Sequence, residues 1–538
     1  MENIDIVTAK VIGNRLKTIA ELMGEILVRS AFSANIKERK DCSTAVFDAK
    51  GRLVAQAEHI PLHLGSMLGI VKEILKHFNE DIEPGDAFIA NDPYFGGTHL
   101  PDVTIISPFF KDNKLYNFVA NIAHHSDIGG ARPGGIAGDA KSIYEEGLRI
   151  PPVKLVRGGK TDQNLLNLIV KNCRVPRERY TDLKAQIAAN KIGIKYLDEL
   201  YMKYSIKVVE DSIERLLSYT EKKLRARVEE IPDGKYFFED KLDDDGISGK
   251  PIPIRVCIKV SGKNLEIDFS GTGAQSRGAI NVVKSALLAT IYYVIKAFLD
   301  PDLPANEGLE RVLSIKAPLG SIVNPKEPAA VGARTDTCQR IAGTLIGAFN
   351  KAMPEKAVAG SNDASTAVVL SKKDKFVYVE AVGGGSGASE SGDGLDGVQV
   401  HITNTSNLPV EALEAEFPIR VLSYELIPDS GGGGKYRGGL GIIREIKILE
   451  DNVIFSSHAD RHKFPPWGWN GGENGKTGGF LINGKPIPSK CSNVILKKGD
   501  TVIIKTPGGG GFGKTTNRPK ELIEKDIRDG KVTHFFIK

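Results

Sequence analysis

Cysteine is scarce. The chain has five in 538 residues (Cys42, Cys173, Cys257, Cys338 and Cys491), far apart and with no CxxC pair. That excludes a disulfide-stapled scaffold, and an odd, scattered set suits a reducing compartment better than secretion. Neither sign of charge is in large excess. The 72 Lys and Arg against 67 Asp and Glu leave +5, spread along the chain, which argues against a nucleic-acid-binding stripe. Long apolar runs are missing too. The longest, Ser285–Ile295 between Lys284 and Lys296, is about half of the roughly 20 residues that span a bilayer, and reads as a buried helix. The first ten residues carry no apolar leader core. No membrane partner is expected, and the expected location is cytoplasmic. At 41% apolar and 26% charged residues, disorder is excluded as well.

What is plentiful is glycine: 58 residues, well above the usage of about 7% typical of globular chains. With no collagen period, the excess belongs in special loops. The length predicts about three or four domains. Apolar spacing predicts a long helix over 5–33, a hairpin of strands 44–47 and 53–55, a helix over 66–78, and strands over 87–90, 103–110 and 115–123. Residues 161–228 read as mostly helical. Short strands follow at 236–239, 252–260 and 265–269, then helices over 280–299 and 337–350. Residues 418–505 are β-rich, and a short helix covers 519–529. The predicted fold class is a mixed α/β (α+β), multidomain chain: a helical and mixed-sheet N-terminal part with a β-rich, Gly-rich C-terminal part. The segments are 1–230, 231–415 and 416–538.

Chemistry is densest between Asn91 and Asp102, Asn-Asp-Pro-Tyr-Phe-Gly-Gly-Thr-His-Leu-Pro-Asp. Asp92-Pro93 and Gly96-Gly97 mark a loop, and Pro101 lets His99 and Asp102 converge only on an irregular turn. His124 and His125 end the apolar strand 115–123, with Asp127 close behind. Imidazole plus carboxylate suits Zn, Mn or Fe(II) and leaves positions open for water or substrate. His99, Asp102 and His124 are the first choice of ligands, with Asp41 as a fourth. Against this stands the plain turn, and on spacing alone the two readings are level. His59 and His63 are separated by Pro61, so they are not a helical i,i+4 ligand pair. With Asp92 they are read as substrate-pocket residues. Cys42 beside Asp41 reads as a buried, inert thiol.

Three glycine segments stand out. Gly383–Gly387 and Ser430–Gly439 read as anion nests or close backbone crossings. Gly508-Gly-Gly-Gly-Phe-Gly-Lys-Thr515 matches the Walker A pattern letter for letter. That pattern needs a helix opening at its Lys-Thr, and Asn517-Arg518-Pro519 breaks one within a turn. The predicted role is a loop needing positive φ or close backbone approach, with no nucleotide bound by this chain.

Longer stretches resemble the hydantoinase B/oxoprolinase family. They are Glu38–Thr44, Phe47–Gln56, His59–Gly65, Pro84–Asp86, Asn91–Asp102, Ala123–Gly130, Glu145–Pro152, Gly383–Gly387, Asp429–Gly439 and Pro507–Gly513. The resemblance covers essentially the whole chain. It implies a B-type subunit of an ATP-dependent 5-oxoprolinase or hydantoinase, one part of a hetero-oligomer. ATP is bound on a separate A-type ATPase subunit, which activates a cyclic amide by phosphorylation. A divalent metal (Zn, Mn or Fe) on His99, Asp102 and His124, with Asp41 alongside, supplies the water that opens the ring. His125 or Asp127 is expected to shuttle the proton. A ketone carboxylase subunit of the acetone or acetophenone type and a non-catalytic assembly subunit are the alternatives. Where this chain has Lys514-Thr515 the family usually has an acidic residue and proline, and that departure creates the Walker match.

Overall fold

The computed structural model of the chain describes residues 4–58, 60–63, 67–135, 138–373 and 375–533. The predicted hairpin forms from β1 (Cys42–Asp48) and β2 (Leu53–Glu58). Five more strands extend it: β3 (Ala87–Ala90), β4 (Asp102–Lys111), β5 (Lys114–His124), β6 (Val153–Arg157) and β7 (Lys160–Thr161). Together they make an antiparallel sheet of order β2-β1-β5-β4-β3-β6-β7. Side chains alternate across a strand, and here both faces are covered. Ala45, Phe47, Phe118 and Ala120 enter the main core, while Val46, Val119 and Phe109 pack under helices. Those helices are Ile6–Ser30, Pro176–Lys203 and Ile206–Glu229. The first buries Ile12, Leu16, Ile19, Met23 and Leu27, and Asp5 caps it by accepting from the N–H groups of Val7 and Thr8.

A second sheet, β8 (Gly234–Leu242), β9 (Ile252–Ser261), β10 (Asn264–Asp268) and β11 (Leu313–Lys316), is ordered β11-β10-β9-β8. The helix Arg334–Ala352 packs on β8 and β9 and against the helix Lys284–Val294. The latter ends in a π-turn, Ile295–Leu299, ahead of Asp300-Pro301. The remaining strands are β12 (Ala367–Lys372), β13 (Phe376–Ala381), β14 (Ile419–Leu426), β15 (Ile442–Ile448), β16 (Val453–His458), β17 (Gly479–Ile482), β18 (Lys485–Ile487), β19 (Cys491–Leu496) and β20 (Thr501–Lys505). They form the sheets β13-β12-β16-β19 and β14-β15-β20-β17-β18. Val368, Leu370 and Phe455 of one share a core with Ile446, Phe480 and Ile504 of the other. The α+β class is as predicted. The β12–β16 pairing joins strands from either side of residue 415, so the central and C-terminal segments share a sheet. Among the described residues no helix is long and apolar enough to cross a membrane.

The glycine segments run side by side. None of Gly508–Gly511 has positive φ, so conformational freedom is not why glycine stands there. Close approach is. A Cβ on Gly508 would overlap the Ser430 carbonyl, on Gly509 that of Ser386, on Gly510 that of Trp467, and on Gly511 that of Gly433. Residues 508 and 511 thus face the same neighbouring segment, 430–433, while 509 and 510 face two others. Every amide from Gly508 to Gly513 is used. Gly508 donates to Lys476 O (3.1 Å), Gly509 to Gly439 O (2.9 Å), Gly510 to Gly360 O (2.7 Å) and Gly511 to Glu473 O (2.9 Å). Phe512 donates to Tyr436 O (2.9 Å) and Gly513 to Trp469 O (3.0 Å). A phosphate-cradling loop needs those N–H groups free. After Lys514 comes only the short turn Thr515–Asn517, and a helix begins at Lys520. Close backbone crossing, one of the two sequence readings for Gly383–Gly387 and Ser430–Gly439, also describes those segments. Gly385 donates to Pro507 O and Gly439 to Ser386 O.

Candidate metal centre

Strand register builds the site. Asp102 opens β4, His124 closes β5, and the two are cross-strand partners. Neighbouring antiparallel strands bring such side chains to within about 5 Å. The turn before β4, in which Asp102 N–H donates to His99 O (3.0 Å), folds His99 back over the same end. His99 Nδ1 lies 2.8 Å from Asp102 Oδ2, and His124 Nδ1 lies 3.1 Å from Asp102 Oδ1. One ligand atom from each of the three residues can be chosen so that all lie within 4.8 Å of one another, and all three residues are buried.

Electrostatics keeps the group ready for a cation. Burial, reinforced by the charge of Arg334, holds the His99 imidazole down at about 3, so it is neutral and its ring lone pair is free. Burial alone would raise Asp102, but the Arg334 guanidinium beside it holds its carboxyl well below the usual range. Arg334 Nη2 and Thr98 Oγ1 both donate to Asp102 Oδ2, at 2.6 and 2.5 Å. Close as it is to Asp102, His99 Nδ1 is not aligned for a hydrogen bond and is left without one. A buried polar atom without a partner is rare and costly. Two imidazoles and an ionised carboxylate, one ring with an unpartnered nitrogen, fit a divalent cation such as Zn, Mn or Fe(II).

The three groups form one wall of a cavity of about 70 Å³. Asp41 and His63 line it from the β1 side, with His63 Nε2 4.0 Å from Asp41 Oδ1 and Nδ1 3.0 Å from Ser43 Oγ. His59 lies outside the described residues. Asp92 is elsewhere. It is buried, accepts from Tyr94 N–H and pairs with Arg149, so it holds a turn together. His125 and Asp127 are also absent from the cavity wall. His124 and His125 sit on consecutive positions at the end of a strand, and His125 is on the opposite side, bonded to Gln186 Oε1 at 3.0 Å. Burial, with help from Arg179, lowers it to about 4. Asp127 accepts from the amides of Gly129 and Arg174 and from the Arg174 guanidinium. Cys42 is buried, and burial pushes its thiol up.

Other lining residues come from far along the chain. Arg334 stands at the start of the helix Arg334–Ala352. His458, at the end of β16, bonds Asp336 Oδ2 through Nδ1 at 2.8 Å. Glu146 braces the Arg334 segment. Its Oε1 accepts from Val331 and Gly332 N–H at 2.8 and 2.7 Å. Its Oε2 has no partner, and burial raises the acid from 4.5 to about 8. Between those values the unfolded chain has lost a proton that the folded one keeps, so folding weakens as pH rises. Relative to Glu146→Gln, the native chain should lose up to about 1.4 kcal/mol per pH unit between pH 5 and 8. Denaturant midpoints at the two pH values measure this, and a pH-independent difference would contradict it.

Residues 5–515 match the Hydantoinase B/oxoprolinase family. An uncharacterised protein of Methanocaldococcus jannaschii is 42% identical over 98% of this chain and 94% of its own. A putative B-type component of a D-/L-hydantoinase from a Pseudomonas strain is 34% identical over 99% of this chain and 94% of its own. Among solved structures, the ATP-dependent caprolactamase of Pseudomonas jessenii superposes with a TM-score of 0.93 at 28% identity, covering 99% of this chain and 95% of that one. A nucleotide-free acetone carboxylase gives 0.91 at 18% identity over 98% and 78%, a likeness of fold. With residues 5–515 matched, the chain belongs to the Hydantoinase B/oxoprolinase family.

Proposed function

We propose that this chain is the ring-opening subunit of an ATP-dependent cyclic-amide hydrolase. It would take a hydantoin, lactam or 5-oxoproline ring whose carbonyl is activated by phosphorylation on a partner A-type ATPase subunit. The observation that carries the reading is the buried His99–Asp102–His124 cluster on a cavity wall. It is supported by relatives and a neighbouring structure named for hydantoin and caprolactam chemistry. A divalent cation held there supplies a Lewis acid that eases deprotonation of water and draws charge from a carbonyl or phosphoryl oxygen.

The chain's own residues do the rest. Arg334 keeps Asp102 ionised, and burial keeps His99 neutral. His63, Asp41 and His458 line the same cavity, and Asp336 holds His458 through its Nδ1. In this reading they take over the proton transfer first expected of His125 and Asp127, because a general acid or base must reach the reacting atoms.

The test is the complex reconstituted with its A-type partner, supplied with ATP and each of three rings: hydantoin, caprolactam or 5-oxoproline. The expected result is ATP-coupled opening of one of them, lost on chelation. ATP-dependent fixation of bicarbonate onto acetone, with no ring opened, would replace this reading with the carboxylase one. Full activity after chelation would replace it with an assembly role.

A further inference from the structure

Five buried polar atoms on the cavity's lining residues have no hydrogen-bond partner: His99 Nδ1, Arg39 Nε, Arg334 Nε, Arg334 Nη1 and Thr405 Oγ1. A cation accounts for the first. The other four are donors, since guanidinium nitrogens only donate and a hydroxyl can. They arrive from three distant stretches of chain.

Arg39 is the informative one. It is 4% exposed, and its Nη1 donates to neutral acceptors, Asn35 Oδ1 and the Val379 carbonyl. Other buried arginines each face a carboxylate: Arg340 has Asp460, Arg444 has Glu380, Arg461 has Asp363 and Arg334 has Asp102. Among the described residues Arg39 has none. An uncompensated buried charge costs several kcal/mol, so this guanidinium calls for an anion from outside the chain. Arg39 also borders a second cavity of about 480 Å³. There the hydroxyls of Ser33 and Ser126 are likewise buried without partners. Arg39 thus stands between a larger cavity and the metal-ligand group, with spare donors on either side.

We infer that Arg39 and Arg334, with Thr405, form an oxyanion-binding subsite beside His99, Asp102 and His124. Its ligand is a phosphoryl or carboxylate group of the substrate. Guanidinium forks suit both, and charge-assisted hydrogen bonds of this kind are the strong ones. The subsite's place in catalysis rests on the function proposed above. A phosphorylated carbonyl would bring a phosphoryl group to it, and a ring such as 5-oxoproline would bring a carboxylate.

Calorimetric titration of the full chain with inorganic phosphate, and separately with acetate, tests it, with and without chelator. Saturable binding that survives chelation is expected, weakened at least about tenfold by Arg39→Gln, while the variant reloads metal like the native chain. Phosphate showing that loss assigns a phosphoryl group, and acetate alone showing it assigns a carboxylate. No binding of either anion, or equal affinities in native and Arg39→Gln chains, overturns the inference. If Arg39→Gln does not fold, Thr405→Val decides: about threefold weaker binding supports the subsite and unchanged binding refutes it. A native chain that binds anion but no metal would sink the hydrolase reading and leave the subsite standing.

Discussion

Alanine at position 509 should destabilise the protein by at least about 4 kcal/mol, at the extreme of single substitutions. Domains are stable by only about 5–15 kcal/mol, so soluble yield should collapse. The reason is geometric. The new Cβ would overlap the Ser386 carbonyl, and the backbone on both sides is tied. Gly509 N–H donates to Gly439 O, while Gly439 N–H donates to Ser386 O. No flexible side chain can give way, and moving one segment breaks hydrogen bonds of the next. Gly479→Ala is the control. Nothing lies within 4 Å of its added Cβ and its φ is not positive, so its stability should stay within about 0.5 kcal/mol of native. Thermal melts of the two variants make the comparison. A Gly509→Ala protein melting beside the native one would show that the glycine segments do not pack as described.

The second large effect is at Asp102, which both belongs to the His99–Asp102–His124 group that could hold a metal and neutralises Arg334. Asp102→Ala should lose the cation and also leave Arg334 buried without its carboxylate, costing about 3–5 kcal/mol. The double variant Asp102→Ala/Arg334→Met separates the roles. Removing the stranded charge should restore much of the stability and none of the metal. Denaturation and metal content measured on the same samples would show it. If the double variant were no more stable than the single one, Arg334 would not be the group that Asp102 compensates.

How much was legible beforehand depended on sequence distance. His99, Asp102 and His124 lie within one strand–turn–strand stretch, so their convergence could be expected from the elements that carry them. Arg334 and His458 reach the same cavity from residues hundreds of positions away, and nothing local in Arg334-Thr-Asp336 announces Asp102 as a neighbour. His125 is a different case. Strand alternation places consecutive side chains on opposite faces, so with His124 in the cavity, His125 was bound to face away toward Gln186. That signal was available in the apolar strand 115–123. Close crossing was one of the two readings that the sequence left open for each glycine segment. Which neighbour each of Gly508–Gly511 meets depends on loops around residues 386, 430–433 and 467, and only the folded chain displays it.

The central claim is that His99, Asp102 and His124 hold a divalent cation. The direct measurement is elemental analysis of the full chain co-purified with its A-type partner, native and His99→Ala, each checked for folding by circular dichroism. The predicted result is about one divalent ion per native chain and none in a folded His99→Ala protein. A folded His99→Ala protein that kept its full metal content, or a native complex active without metal, would contradict it.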